Sequence, residues 1–170
     1  MITRLLRFIF FKLMGWKIEG VFPDLNKMIV AVVPHTKNFD FIVGILTRAA
    51  INEKINYVGK KELFNPITGW FFKALGGAPI NRGAKENTVQ AIVKIFKSRS
   101  FFRLAIAPEG TRKMVKQWKT GFYYIAREAN VPILLVKFDY PQKKVSFLDL
   151  FYPTDDKKKD FEFMQASFLA

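Results

Sequence analysis

The chain contains no cysteine. Disulfides, a cysteine nucleophile and thiolate metal sites are therefore excluded. Histidine is nearly absent as well: His35 stands alone. A zinc site built from several imidazoles is excluded with it. No Gly-x-Ser-x-Gly elbow, Walker loop or dinucleotide glycine fingerprint occurs. That removes serine hydrolases of the elbow type, P-loop enzymes and Rossmann cofactor binding. Acidic residues are scarce, 14 against 28 basic ones, for a formal net charge of +14. Such a balance attracts polyanions: nucleic acid, anionic lipid headgroups or phosphorylated substrates. Charge alone does not choose among them.

Aromatic residues, by contrast, are plentiful: 19 Phe, 5 Tyr and 3 Trp in 170 residues. Surplus aromatic surface has to meet something apolar. Half of the chain is hydrophobic, enough to build the core of one domain. Basic and aromatic residues together are also the composition of a membrane interface.

Residues 1–16 concentrate this mixture. Leu5, Leu6, Phe8, Ile9, Phe10, Phe11, Leu13 and Met14 are too many for one narrow helical stripe. Lys12 interrupts them, and the stretch falls short of the roughly 20 residues needed to span a bilayer. Leu13-Met14-Gly15-Trp16 makes a poor signal-peptide cleavage site. The segment reads as an interfacial helix ending near Gly15, with Trp16 and Lys17 at headgroup level. The plainer alternative is a helix packed on the core. A turn over Pro23–Lys27 separates it from the rest of the chain.

Beyond that turn strands and helices alternate. Met28–Val33 is a continuous apolar run, as in buried parallel strands. Phe39–Ala50 is helical, with Asn38 or Asp40 as cap or first-turn acid. Ile55–Val58 reads as a strand, Pro66–Leu75 as a helix and Ala78–Ile80 as a brief strand. Lys85–Lys97 shows helical spacing of Val89, Ile92, Val93 and Phe96. Strands over Arg103–Ala107 and Pro132–Phe138 bracket a helix at Gly121–Ala129, and Lys144–Leu148 adds a strand. Asp155–Asp160 reads as a solvated turn. The pattern predicts an α/β fold: a mostly parallel sheet flanked by helices.

Chemistry concentrates where two apolar runs end. His35 follows the first, five residues before Asp40. If the chain turns from strand to helix between them, Asp40 accepts from one ring nitrogen. The other is then free to take a proton from a hydroxyl. One His-x4-Asp pair is by itself a weak signal. The end of a strand is where open α/β sheets place ligands. Glu109-Gly110-Thr111-Arg112 follows the second run. Arg112 suits a phosphate, with Thr111 and main-chain N–H groups as added donors. Gly110 permits close approach of the backbone. Glu109 is alternatively a structural partner of Arg112 or Arg82. Lys113, Lys116 and Lys119, with Trp118 among them, read as a solvated basic loop or a nucleic-acid patch. Gly76-Gly77-Ala78-Pro79-Ile80-Asn81 looks like a bend that delivers Arg82 to a crevice. Trp70, Phe71 and Phe72 offer either an acyl path or core packing.

Taken in order, these segments resemble the glycerol-phosphate and 1-acyl-sn-glycerol-3-phosphate acyltransferase family. His35 and Asp40 match its histidine–aspartate pair. Gly77 to Arg82 matches its glycine-to-arginine segment, and Glu109 to Arg112 its Glu-Gly-Thr-Arg block. Val131 to Val136 matches its Val-Pro-Ile strand, while Lys119 and Gly121 fall where members carry a lysine–glycine pair. Lys37 stands where many members have serine, and Leu135 replaces a second proline. The resemblance spans about residues 28–140. It implies transfer of a fatty acyl group from a thioester to a lysolipid hydroxyl, with His35 and Asp40 catalytic. Arg82, Glu109, Gly110, Thr111 and Arg112 are implied in acceptor binding. It implies no metal and no cofactor, acyl-CoA or acyl carrier protein being the co-substrate.

The expected protein is thus a peripheral, monotopic enzyme on the cytoplasmic face of a membrane. Residues 1–22 are expected to form the interfacial helix and residues 23–170 the acyltransferase domain. Its partners are membrane lipids, a lysolipid and the thioester, with no nucleic acid. The favoured acceptor is 1-acyl-sn-glycerol-3-phosphate, giving phosphatidic acid for phospholipid biosynthesis. One rival is a non-phosphate acceptor such as a lyso-aminolipid. Another is a non-catalytic basic module that binds membrane or nucleic acid, against which the His35/Asp40 pair argues.

Overall fold

The computed structural model describes residues 2–35, 39–80, 88–110 and 117–169. At its centre lies β2 (Lys27–Val33), whose apolar run Met28–Ala31 is buried. The two faces of β2 feed two cores. Ile29 and Ala31 join one cluster, and Met28 and Val30 the other, as the two-residue side-chain period of a strand requires. This is why the run is apolar without alternation.

Parallel neighbours flank β2: β5 (Phe102–Ile106) on one side and β6 (Ile133–Asp139) on the other. β7 (Lys144–Phe151) pairs antiparallel with β6, and the short β1 (Lys17–Glu19) pairs parallel with β7. The order is β1-β7-β6-β2-β5. β3 (Tyr57–Lys60) and β4 (Gly77–Ile80) form a separate parallel pair. A parallel bridge from Asn56 to Leu104 attaches them to the β5 edge. The expected mostly parallel α/β sheet is the observed one.

Helices cover both faces. α2 (Asp40–Ile51) packs Val43 and Leu46 on the face of Met28 and Val30. With it pack α1 (Ile2–Phe8) and the π-helical turn Ile9–Leu13 that continues it. On the other face lie α4 (Thr88–Ser98) and α5 (Gly121–Ala129), with Phe96 and Phe122 in the core, and α6 (Lys157–Ser167), which contributes Met164. The small α3 (Gly69–Ala74) precedes β4.

Three expectations need correction. Trp16 is not at headgroup level. It is 4% exposed, stacked on Phe10 at 6.0 Å and edge-on to Tyr140 at 5.3 Å. Its neighbour Phe10 is fully buried, while Leu5, Phe8 and Leu13 on the same segment are exposed. The N-terminal segment thus has a core side and an open side. Asp155–Asp160 is not merely a solvated turn. The Asp156 side chain accepts from the Lys159 N–H and caps α6. Trp118, which reads with its neighbouring lysines as part of a solvated basic loop or a nucleic-acid patch, is half-buried, ringed by Phe122, Phe161 and Phe168 at 6.2, 6.5 and 5.5 Å.

Candidate active site

β2 ends at Val33, and the chain passes through a cis Val33–Pro34 peptide to His35. α2 begins at Asp40. Asp40 does not cap the helix: the cap position is Phe39, with no side-chain cap bond. The Asp40 carboxylate instead turns back to the loop: its Oδ2 lies 3.0 Å from His35 Nδ1. The strand-to-helix turn therefore delivers the pairing that the spacing predicts. With Nδ1 engaged, Nε2 is the nitrogen left for a substrate proton. Asp40 is 4% exposed, while the His35 side chain is 30% exposed. A buried carboxylate holding a partly open imidazole is the arrangement a general base needs.

Two further contacts fix this pair. The His35 main-chain N–H donates to Glu109 Oε2 at 2.6 Å. Glu109 follows β5 and is 6% exposed, so its carboxylate ties the ends of two adjacent strands together. The second is Tyr140, immediately after β6, whose hydroxyl donates to Asp40 Oδ1. Burial, reinforced by the bond to Asp40, pushes the Tyr140 phenol well above its ordinary pKa. It therefore stays a donor throughout the working range of an enzyme. Sequence reasoning missed Tyr140. The two residues are 100 positions apart and share no motif. The only cue is that an apolar strand ending in a tyrosine comes to lie beside β2.

Gly110 has φ +60, the left-handed region that glycine adopts without strain. The Lys119 stem runs close against it, within 2.4 Å of where a Cβ would sit. Arg82, Thr111 and Arg112, expected at the acceptor, lie outside the described residues, as do Lys37, Lys113 and Lys116.

His35 borders two cavities. The smaller, about 250 Å³, lies between the sheet and α2. Val30, Val32, Phe41, Ile45 and Phe138 make it apolar, and Arg48 and Asn56 also line it. The Arg48 guanidinium donates to the carbonyls of Ile55 (3.1 Å) and Leu75 (2.7 Å). The larger cavity, about 610 Å³, lies on the α4–α5 side; Val58, Ile80, Ile92 and Phe122 line much of it, together with Thr88 and Lys119. Trp70, Phe71 and Phe72, candidates for an acyl path, line neither cavity.

Among the described residues no serine or threonine hydroxyl bonds the His35 ring. A buried carboxylate holding an imidazole in this way is chemically suited to taking a proton from a hydroxyl. Sequence comparison gives the family: the chain belongs to the acyltransferases, whose family model matches residues 17–138. It is an acyltransferase enzyme. A search of curated protein sequences finds no match. Among solved structures, the 1-acyl-sn-glycerophosphate (LPA) acyltransferase PlsC from Thermotoga maritima has a similar fold. The TM-score is 0.66 at 16% identity, covering 98% of this chain and 76% of that one.

Proposed function

We propose that the chain moves a fatty acyl group from an acyl thioester to the free hydroxyl of 1-acyl-sn-glycerol-3-phosphate. The product is phosphatidic acid, made for phospholipid biosynthesis at the cytoplasmic face of a membrane. The observation that carries this reading is the Asp40-held His35 at the boundary of two cavities, the smaller the more apolar. The smaller one suits an acyl chain. The other, with Lys119 on its wall, suits a charged headgroup. Arg82, Thr111 and Arg112 hold the phosphate in this reading.

His35 Nε2 takes the hydroxyl proton as the oxygen attacks the thioester carbonyl. Asp40 stabilises the imidazolium that forms. Donors at the site, with Arg82 the candidate among side chains, meet the tetrahedral oxyanion. The C–S bond then breaks, and the imidazolium returns its proton to the leaving thiolate. The donor is acyl-CoA or acyl carrier protein, and the chemistry requires no metal or cofactor. Leu5, Phe8 and Leu13, exposed beside Arg4, Arg7 and Lys12, rest the N-terminal helix in the lipid interface.

Purified protein with membranes, given either thioester and a panel of lysolipids, tests the reading through release of free thiol. Turnover with lysophosphatidic acid is expected. Turnover only with a lyso-aminolipid replaces the acceptor, and none with any lysolipid overturns the reading. Arg82→Ala and Arg112→Ala should each raise the acceptor KM by roughly 10- to 100-fold, the scale of a charge-assisted hydrogen bond. A rise in the thioester KM alone moves these arginines to the carrier.

A further inference from the structure

One exposed apolar surface takes no part in this chemistry. Ile67 is 82% exposed, Trp70 70%, Phe71 48% and Leu63 42%. They lie together on the turn before α3 and on α3 itself. The presentation is built by the fold. Asn65 Oδ1 accepts from the N–H groups of Ile67 (2.9 Å) and Thr68 (3.0 Å), and the Thr68 hydroxyl donates to the Leu63 carbonyl at 2.8 Å. Gly69 sits so close to Phe64 that a Cβ there would lie 2.8 Å from the Phe64 carbonyl oxygen. Hydrogen bonds within the turn and close packing at Gly69 thus fix its shape, while the large apolar side chains are exposed. Exposed Lys61 and Lys73 flank them, and Glu62 is the one acid between Lys60 and Lys73.

The turn that opens this surface starts at the end of β3, and α3 carries the chain back to the start of β4. β2, β5 and the β3–β4 pair run parallel, so the turn after β3 leaves the same edge of the sheet as His35 after β2. Phe41 and Tyr57 meet edge-on at 5.4 Å, and both line the smaller cavity. Phe39, Phe41 and Ile42, at the start of α2, are themselves exposed.

We propose that α3 and its preceding turn insert into the surface of an anionic bilayer. This contact is separate from the N-terminal helix. Tryptophan and isoleucine flanked by lysines form the composition of the lipid–water interface. The net charge of +14 complements anionic headgroups. Insertion through this surface does not depend on which lysolipid is the acceptor.

Fluorescence quenching by brominated lipids tests it on the full chain. Trp16 is buried and Trp118 half-buried, so Trp70 is the tryptophan placed to meet lipid. Vesicles of phosphatidylglycerol and phosphatidylcholine with brominated acyl chains should quench the wild type, and Trp70→Phe should lose that quenching. Ile67→Ser/Trp70→Ser should weaken vesicle affinity about tenfold or more, with an unchanged circular dichroism spectrum. Equal quenching with and without Trp70, or no quenching at all, overturns the proposal. So does a double variant that floats normally with vesicles yet loses affinity for acyl carrier protein, since the surface is then a protein dock.

Discussion

Among the described residues two tyrosine–aspartate pairs lie one on each face of the sheet, and they differ in what they hold. Tyr140 donates to Asp40, and Tyr123 lies 2.8 Å from Asp160 Oδ2. Both aspartates are 4% exposed, and both phenols have raised pKa values caused first by burial and then by the carboxylate. The difference is in the remaining partners. Asp160 also accepts from the Thr154 N–H and hydroxyl, each at 2.7 Å, and the Tyr123 hydroxyl is also 2.9 Å from the Thr154 carbonyl. That cluster closes on itself and pins the start of α6 to α5. Asp40 spends its second oxygen on His35, which opens onto two cavities. The same pair is thus a staple in one place and, in the proposed reaction, the support of a base in the other. Burial and a shifted tyrosine do not mark a site; an outlet to a cavity does.

The comparison is tested most sharply at His35. His35→Ala should lower the acyl-transfer rate by about 10²–10⁴, the usual cost of removing a general base. Its side chain is 30% exposed, so thermal unfolding should hardly move. Unchanged turnover would reduce the Asp40 cluster to a second staple.

Tyr140→Phe comes next. It removes one hydrogen bond to a carboxylate and keeps the ring that packs on Trp16. kcat should fall about tenfold, with both KM values unchanged, because what is lost is the orientation of the base and not a substrate contact. As the protein has a single histidine, the Nδ1 proton of His35 gives one downfield NMR signal. That signal should broaden as Asp40 gains freedom. Full activity with a sharp signal would make Tyr140 a packing residue only.

Much of this is legible in the sequence. β2 and β6 announce themselves as apolar runs because both of their faces are covered. The His35–Asp40 contact is readable because it is local: a strand-to-helix turn makes a five-residue separation a side-chain contact. Contacts across the chain are not readable. Glu109 reads as an acid beside a basic block, but its bond to the His35 N–H needs the register of β2 against β5. Trp16 misleads because an aromatic beside lysine suits an interface as well as a core, and only the arrival of Phe10, Phe138 and Tyr140 decides between them. α6 is hidden by its charge run, although Phe161, Met164 and Phe168 keep helical spacing on its buried side.

Opposite behaviour is expected of the closed pair. Tyr123→Phe should leave kcat and both KM values unchanged and cost about 1 kcal/mol of stability at neutral pH, the net worth of one buried hydrogen bond. Chemical denaturation at pH 7 measures this. The pH dependence supplies a second test. Burial, with Asp160 adding to it, pushes the Tyr123 phenol from its ordinary 10.0 up to about 12. The folded state thus holds the phenolic proton more tightly than the unfolded chain does. Where the unfolded chain binds fewer protons, stability falls as pH rises. The contribution is therefore whole below about pH 10 and is lost between about pH 10 and 12, the window set by the two values. Tyr123→Phe should flatten the alkaline limb of the stability–pH curve across that window. A variant whose alkaline limb matches the wild type would show that Tyr123 does not carry the transition, and the closed cluster would then be held by Asp160 and Thr154 without it.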